Sequence, residues 1–169
     1  MKKNHLVLLG ILVLNIILIS GCSTKPDAAQ AKNGNTVQVE YTGKLQDGTV
    51  FDSSVGKAPL EFTLGAGQMI PGFEKAVLGM KVGQSKTVTI PAAEAYGPHR
   101  DEMVMVIPRT QLPQGMTPKV GQKLQTTTND GANLTVTVTA VSDTTVTIDA
   151  NHPLAGKDLI FEIKLVSMK

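Results

Sequence analysis

The chain of 169 residues carries 16 basic and 14 acidic side chains and a single cysteine. Removal of residues 1–21 takes away Lys2 and Lys3 and no acidic group, so the remaining chain is formally neutral. A neutral balance excludes the basic footprint of a nucleic-acid-binding protein, and a single cysteine excludes an internal disulfide.

The N-terminus has the pattern of an export signal. Lys2 and Lys3 precede a mostly apolar run at residues 6–19, and small residues follow it. The run is shorter than the roughly 20 apolar residues that span a bilayer. The segment ISGC, which ends at Cys22, resembles a bacterial lipobox, in which cleavage leaves an acylated cysteine as the first residue. An ordinary signal peptide with an incidental cysteine and a membrane-spanning anchor are the alternatives.

The residues after Cys22 indicate how the folded part is held. Residues 23–35 are small, polar and without periodicity, which is typical of a flexible tether. We therefore expect a lipoprotein signal peptide at residues 1–21, a lipidated tether at 22–35, and a location outside the cytoplasm, anchored to the cell envelope by lipid. Ser23 is not the aspartate that retains some lipoproteins at the inner membrane. An outer membrane, facing the periplasm, is therefore favoured if the cell has two membranes.

Short strands are predicted from Val37 onward. Apolar and polar side chains alternate over residues 37–41, which is the period of a half-buried strand. Asp47 and Gly48 form a hairpin turn signal. Residues 61–64 and 85–90 have the composition of further short strands, and together these segments favour an antiparallel sheet.

One helix and one long strand complete this part of the chain. Pro71 suits the first turn of a short helix, and alternation over residues 159–165 predicts a strand with one strongly apolar face. The apolar face of the helix and the glycine near its end are Phe73, Val77, Met80 and Gly79. The sequence therefore predicts an α+β fold, in which an antiparallel sheet wraps on one short helix.

Residues 98–152 differ in composition from the rest of the chain. All six aromatic side chains lie outside this stretch, and Thr, Val and Met are frequent within it. Residues 103–107 are a continuous apolar run, 122–128, 134–140 and 144–149 are candidate strands, 129–131 are a turn signal, and a helical turn is expected near 112–116. A small, separate β-rich unit with a meagre apolar core is expected here.

Five motifs occur in an order and spacing that resemble the FKBP-type peptidyl-prolyl cis-trans isomerases. They are VEYTGKLQDGTVFDSS, PLEF, GQMIPGFEKAVLGMKVGQ, IPAAEAYG and LIFEIKLV. The insertion that follows AYG and ends in NHPLAG is similar to the insert-in-flap domain of the SlyD-like subfamily. The resemblance implies an FKBP-type isomerase domain at residues 36–97 and 153–169 and an insert-in-flap chaperone domain at 98–152. It also implies an enzyme that accelerates Xaa-Pro rotation without a cofactor or a metal.

The resemblance further implies which residues form the isomerase site. Four aromatic side chains would enclose the proline ring, the Ile70 backbone N–H and the Tyr96 hydroxyl would donate to substrate carbonyls, and Asp52 would orient its neighbours. The implied catalytic residues are Tyr41, Phe51, Asp52, Ile70, Phe73, Tyr96 and Phe161. The residues implied to line the edges of the pocket are Leu60, Met69 and Ala95.

The insertion is implied to bind unfolded chains and to deliver them to the prolyl pocket. Methionine side chains are flexible and polarisable, which suits contact with irregular apolar segments. The residues assigned to this binding are Met103, Met105, Ile107, Leu112 and Met116. The alternative is that the methionines fill the insertion's own core.

Other interpretations of the site residues stay open. The aromatic side chains have the spacing of ordinary core residues, Asp52 before two serines could cap a turn, and Tyr96 could anchor a loop. Phe73 stands where many family members have tryptophan, and the insertion replaces the short flap. Affinity for the family's macrolide ligands is therefore not carried over.

The remaining expectations concern partners. Unfolded or proline-containing polypeptides are the implied substrates, the membrane is reached through the N-terminal lipid, no nucleic acid is bound, and the protein is a monomer. His99 and His152 alone do not make a metal site. The rival function is a non-catalytic, membrane-anchored chaperone or peptide-binding module. A structural envelope protein is disfavoured, since neither repeats nor a peptidoglycan motif occurs.

Overall fold

The computed structural model describes residues 29–127 and 131–169. The predicted signal peptide, the lipidation site Cys22 and the tether up to residue 28 lie outside the described residues, as do 128–130 of the insertion. In the part of the chain that is described, no helix has the length and the apolar character that crossing a membrane requires.

Within these residues two antiparallel sheets form, and one α-helix packs on the first of them. The strands are β1 (Thr36–Lys44), β2 (Val50–Ser53), β3 (Leu60–Thr63), β4 (Ser85–Ile90), β5 (Val104–Pro108), β6 (Lys123–Thr127), β7 (Asn133–Val141), β8 (Thr145–Asp149) and β9 (Leu159–Met168), and the helix is α1 (Pro71–Val77). In the first sheet β9 lies between β4 and β1, and the other edge of β1 is shared by β3 and β2. The second sheet has the order β5-β8-β7-β6. The predicted α+β class is confirmed.

The core of the first sheet follows the alternation expected from the sequence. Val37 and Val39 of β1 are fully buried. The buried side chains of β9 are Leu159, Phe161, Ile163 and Leu165. Between them, Glu162 and Lys164 are exposed and form ion pairs with side chains of β1. One face of the sheet is therefore apolar and packs against α1, while the other face is charged.

The helix lies where Pro71 and Gly79 predict it. Pro71 is its first residue, a position where a missing N–H sacrifices no helical hydrogen bond. Phe73 and Val77 are fully buried against the sheet. Gly79 follows the helix with φ of 78°, a left-handed conformation that glycine adopts without steric cost, and the helix ends there.

The first described residues are part of the fold, which corrects the tether predicted for residues 22–35. Gln30 forms a β-bridge with Lys81, and Ala31 is 2% exposed beside the end of the helix. The Ala31 N–H donates to the carbonyl of Met80 at 2.9 Å. The segment has the composition of a linker, but the methyl group of Ala31 packs in the main core. The tether stays a prediction for residues 22–29, of which 22–28 lie outside the described residues.

The second sheet forms from the candidate strands of the insertion. Its buried core consists of Val136, Val138, Val146 and Ile148. The register of β7 against β8 shifts between Val138 and Ala140. Because such a bulge reverses the side that later residues face, Val141 packs on the core while Ala140 is exposed. The alternation predicted to run through residue 140 therefore stops at Val138.

The helical turn of the insertion lies earlier than predicted. A 3-10 turn occupies Arg109–Gln111, in place of residues 112–116. Leu112 has ψ of 153°, which is extended. Pro113 follows it, and a proline disfavours the helical conformation at the residue before it. The turn therefore ends before Leu112.

Candidate functional site

A cavity of about 340 Å³ lies where β1, β2 and β9 meet the start of α1. Its lining residues are Tyr41, Phe51, Asp52, Gly67, Gln68, Met69, Ile70, Phe73, Tyr96 and Phe161. All the residues that the motifs name as catalytic are in this set, together with Met69. The fold thus brings segments that are far apart in sequence to one concave surface.

Aromatic rings form the base and the walls of the cavity. Phe73 is fully buried, and its ring centroid lies 5.2 Å from that of Phe161 and 5.8 Å from that of Tyr41. Phe51 meets Phe161 edge-on, with the centroids 5.6 Å apart. These contacts are T-shaped, so the positive edge of one ring meets the negative face of the next. Phe73 and Phe161 are core residues and lining residues at once.

Gly43 is a site residue that the motif comparison did not name. It lies on β1, opposite Phe161 of β9 and Asp52 of β2. A Cβ atom at this position would stand 2.6 Å from the Phe51 ring and 3.0 Å from the Phe161 ring. The bare backbone of Gly43 therefore provides the space that the Phe51 ring occupies. The available signal was a glycine shortly after the predicted strand at residues 37–41, since a glycine in a strand often marks a bulge or a close approach.

Hydrogen bonds fix Asp52 at the rim of the cavity. The Tyr41 hydroxyl donates to Asp52 Oδ2 at 2.5 Å, and the Ser53 N–H donates to Oδ1 at 2.8 Å. Partial burial, together with the hydrogen bond to Asp52 and its charge, raises the pKa of Tyr41 to about 12. Tyr41 therefore keeps its proton at neutral pH. One oxygen of Asp52 orients Tyr41, and the other bonds the local backbone as the turn-capping alternative expects.

The loop before α1 is shaped by a carboxylate of the helix. Glu74 accepts hydrogen bonds from the Gly65 N–H at 2.9 Å and from the Met69 N–H at 3.4 Å. The N–H of Ile70, the next residue, has no acceptor among the described residues. Ile70 lines the cavity. The loop therefore presents a backbone donor without a partner at the site.

Tyr96 stands at the open side of the cavity. It is 42% exposed, and its hydroxyl has no hydrogen-bond partner within residues 29–127 and 131–169. Its ring is stacked on the imidazole of His152, with the centroids 3.8 Å apart and an angle of 4° between the planes. His152 belongs to the segment that returns from the insertion. The hydroxyl of Tyr96 is thus a second donor without a partner at the same cavity.

Leu60 and Ala95, predicted at the edges of the pocket, are not among the lining residues of this cavity. Both are half-buried and pack against the main hydrophobic core. Leu60 is held there because it pairs with Val39 in the ladder of β3 and β1. Gly67 and Gln68 line the cavity instead. They precede Met69 in the loop, and no periodic pattern in the sequence marks them.

The residues assigned to chain binding in the insertion divide into two groups. Ile107 and Leu112 are half-buried and pack against the insertion's own core. Met105 and Met116 are 45% and 36% exposed and lie outside that core. Met103 is half-buried at the end of a 3-10 turn. Two of the three methionines are therefore surface residues.

Asn151 ties together the two segments that connect the insertion to the first sheet. It is 9% exposed, its side-chain oxygen accepts from the Arg100 N–H at 2.9 Å, and its amide donates to the Arg100 carbonyl at 2.8 Å. Nearby, a hydrogen bond to Asp149 at 3.0 Å raises the pKa of His99. Across the described residues, no group of three or more His, Cys, Asp or Glu side chains could hold a metal ion.

Comparison with known proteins places the chain in a family. The model of the family described as FKBP-type peptidyl-prolyl cis-trans isomerase matches residues 27–166. The chain is 40% identical over 145 residues to a probable FKBP-type 16 kDa peptidyl-prolyl cis-trans isomerase of Pseudomonas fluorescens, and the alignment covers 84% of this chain and 95% of that protein. It is 37% identical over 137 residues to the FKBP-type peptidyl-prolyl cis-trans isomerase SlyD of Treponema pallidum, with 81% and 77% covered. The SlyD protein of Helicobacter pylori is 37% identical over 132 residues, with 78% and 71% covered. Because these matches extend over most of the chain and confirm the resemblance of its motifs, the protein belongs to the FKBP-type peptidyl-prolyl cis-trans isomerases, enzymes that catalyse rotation about Xaa-Pro bonds.

Proposed function

We propose that the Xaa-Pro bond is turned inside the aromatic cavity and that the residues named from the motifs carry the reaction. The observation that supports this proposal is their convergence on one cavity. The residues that converge are Tyr41, Phe51, Asp52, Ile70, Phe73, Tyr96 and Phe161. They come from segments between β1 and β9, and core packing alone does not require all of them to face one opening.

The reaction needs a place that binds a twisted amide better than a planar one. Rotation about an Xaa-Pro bond meets a barrier of about 18–20 kcal/mol, because resonance across the C–N bond is lost at the twisted transition state. A twisted amide has less charge separation than a planar one, so it loses less hydration free energy when it leaves water. Apolar aromatic walls therefore favour the twisted form, and only such preferential binding accelerates the reaction.

Two donors supply the polar part of the proposed site. The Ile70 N–H and the Tyr96 hydroxyl have no acceptor in the described part of the chain. Substrate carbonyls on either side of the proline would accept hydrogen bonds from these two donors. Donors that are in place before the substrate arrives need no reorganisation during the reaction. We assign these two groups to orientation of the peptide, and the aromatic walls to the proline ring.

Proton transfer has no part in this proposal. The pKa of Tyr41 is raised to about 12, so its hydroxyl stays protonated. Both carboxylate oxygens of Asp52 already accept hydrogen bonds. Rotation about a C–N bond moves no proton, and a carboxylate with a hydrogen bond to each oxygen is suited to hold Tyr41 in place. Asp52 is therefore assigned as a positioning residue.

Chemical-shift mapping by NMR tests the proposed site. A peptide with one Xaa-Pro bond is titrated into the ¹⁵N-labelled chain that begins at Ser23. The Ile70 amide proton should move downfield, because it gains a carbonyl acceptor, and further shifts should cluster around Phe51 and Tyr96. Shifts confined to the charged face of the sheet, with Ile70 unmoved, would rule out the cavity as the binding site.

We further propose that the insertion binds unfolded chains and passes them to the cavity. The support is exposed apolar surface, since Met105, Val106 and Val120 are 45%, 65% and 67% exposed. Met105 and Val106 lie on β5, which is an edge strand of the second sheet in the described part of the chain, and an edge strand can pair with another chain. A segment held there raises the local concentration of its prolines at the cavity. The proposal assigns chain binding to the insertion and isomerisation to the cavity. Comparing catalysed refolding of a protein with isomerisation of a short peptide tests this division of roles.

We also propose that the protein is attached to the cell envelope, outside the cytoplasm, through an acylated Cys22. The support is the signal pattern of residues 1–21. Because Gln30 is already paired with Lys81, the tether from Cys22 is short and reaches at most about 29 Å when extended. Cys22→Ser should abolish incorporation of labelled palmitate in a bacterial host, and Ser23→Ala, the control, should retain it. Equal labelling of both variants would exclude lipidation at Cys22.

A further inference from the structure

His152 brings the return segment of the insertion into contact with the isomerase site. Its imidazole is stacked on the Tyr96 ring, with the centroids 3.8 Å apart and the planes 4° apart. Tyr96 lines the cavity and His152 does not. One face of a cavity residue is therefore covered by a side chain from the far end of the insertion.

The imidazole of His152 has a fixed orientation. Its Nδ1 accepts the Leu154 N–H at 3.1 Å. A nitrogen that accepts a hydrogen bond carries no proton, so the proton of the neutral ring is on Nε2. Burial lowers the pKa of His152, which keeps the ring neutral at neutral pH. The stack is thus formed by two neutral rings held parallel.

The backbone on both sides of His152 is tied to the segment that leads into the insertion. Before it, Asn151 holds the backbone of Arg100 with two hydrogen bonds. After it, the Gly156 N–H donates to the carbonyl of Gly97 at 2.8 Å. The backbone that carries the imidazole is therefore positioned by hydrogen bonds that do not involve the Tyr96 ring.

Tyr96 has few other constraints. It is 42% exposed, and its hydroxyl has no partner among the described residues. An aromatic contact of this kind shifts the equilibrium between two ring orientations by roughly two- to tenfold. Tyr96 lines the same cavity as Tyr41 and Phe161.

We propose that His152 is a positioning residue for Tyr96: the stacked imidazole holds the Tyr96 ring in the orientation in which its hydroxyl meets the substrate. This inference rests on the role proposed above for Tyr96. The insertion would then contribute to catalysis in a second way besides chain binding, because His152 orients Tyr96. This orientation affects short peptides as well as unfolded proteins.

Isomerisation of a proline tetrapeptide by variants of the mature chain tests the inference. His152→Ala should lower kcat/KM by roughly two- to tenfold, the range of an aromatic contact. His152→Phe keeps a stacking ring without the imidazole nitrogens and should restore most of the loss. Lys157→Ala changes an exposed residue of the same return segment and should match the wild type. In a Tyr96→Ala background, His152→Ala should have no further effect.

Each other outcome counts against the inference in a distinguishable way. Wild-type activity of His152→Ala, with Tyr96→Ala impaired, would overturn the inference and leave the role of Tyr96 standing. Full activity of Tyr96→Ala would overturn both. Equal losses in His152→Ala and His152→Phe would assign the effect to the hydrogen bond with Leu154 and would overturn the stacking role. If the alanine variant does not fold, His152→Leu, which keeps bulk without a stacking ring, replaces it with the same expected loss.

Discussion

At the scale of single residues, the lack of a side chain at Gly43 determines the shape of the cavity wall. A Cβ atom on Gly43 would lie 2.6 Å from the Phe51 ring. The Phe51 ring is in edge-on contact with Phe161 at 5.6 Å, and the same Cβ atom would lie 3.0 Å from the Phe161 ring. The cavity therefore depends on a residue that has no side-chain chemistry of its own.

Gly43→Ala should displace the Phe51 ring. Overpacking of this kind lowers the free energy of unfolding by about 1–3 kcal/mol, and we expect kcat/KM to fall roughly tenfold, the equivalent of about 1.4 kcal/mol of transition-state binding. Phe51→Leu makes room for the added methyl group, so Gly43→Ala/Phe51→Leu should be more stable than Gly43→Ala alone. Urea unfolding and peptide isomerisation measure the two effects. Wild-type stability and activity in Gly43→Ala would show that the close approach is unimportant.

The hydrogen bond between Tyr41 and Asp52 gives a pH dependence with a defined sign. The folded chain raises the pKa of Tyr41 from 10.0 to about 12. Protonated Tyr41 therefore contributes stability that is fully present below pH 10, and this contribution is lost as the pH rises through the folded pKa of about 12. Partial burial is the largest cause of the shift, and the Asp52 hydrogen bond and charge follow it.

Asp52→Asn should accordingly lower the pKa of Tyr41 without restoring its ordinary value, since the burial remains. The chain has only two tyrosines, so a Tyr96→Phe background leaves Tyr41 as the sole chromophore in an ultraviolet titration of tyrosinate. An unchanged pKa in Asp52→Asn would contradict the assignment of Asp52 as the group that orients Tyr41.

At the scale of elements, strands and helix could be predicted where their signals are local. Alternating apolar residues predicted β1 and β9, and Pro71 and Gly79 predicted the two ends of α1. The bulge after Val138 could not be predicted, because it depends on the register of β7 against β8. The docking of Ala31 was missed for the same reason, since only the folded chain places it beside the end of the helix.

The site residues also differ in whether local sequence or only the folded chain identifies them. The motifs name residues that line the cavity, because each motif carries its own aromatic or donor group. Gly43 matters only because Phe51 and Phe161 lie on the two neighbouring strands. His152 contacts Tyr96 across the insertion, where the hydrogen bonds of Asn151 to Arg100 hold the two connecting segments together. Contacts of this kind have no signature in sequence spacing.

The exposed apolar residues of β5 should matter for protein substrates alone. Met105→Ser/Val106→Ser removes two exposed apolar side chains, one on each face of the edge strand β5, that we propose hold an unfolded chain. Because the gain from a second binding site is a local-concentration effect, we expect catalysis of proline-limited refolding to fall by roughly tenfold or more while tetrapeptide isomerisation is unchanged. Val82→Ser, at a 51% exposed residue beyond the end of α1, is the matched control. Loss of both activities, or of neither, would contradict the division of labour.

At the scale of the whole molecule, the insertion enters and leaves beside the isomerase site. Tyr96 lines the cavity just before the insertion, and His152 covers Tyr96 just after it. A chain held by the insertion, as we propose above, would therefore lie next to the cavity, which is the arrangement that coupling of two weak sites requires. The domain boundaries at residues 97–98 and 152–153 and the monomeric state stay predictions.

The role of the cavity is tested most directly by NMR exchange on an Ala-Pro peptide with catalytic amounts of the chain that begins at Ser23. The uncatalysed bond turns in tens to hundreds of seconds, too slowly for exchange cross-peaks. Phe51→Ala removes a half-buried wall of the cavity, and Val50→Ala, at the 53% exposed neighbour on β2, is the matched control. We predict cross-peaks for the wild type and for Val50→Ala, and an exchange rate at least about tenfold lower for Phe51→Ala. Equal rates for all three proteins would contradict catalysis in this cavity.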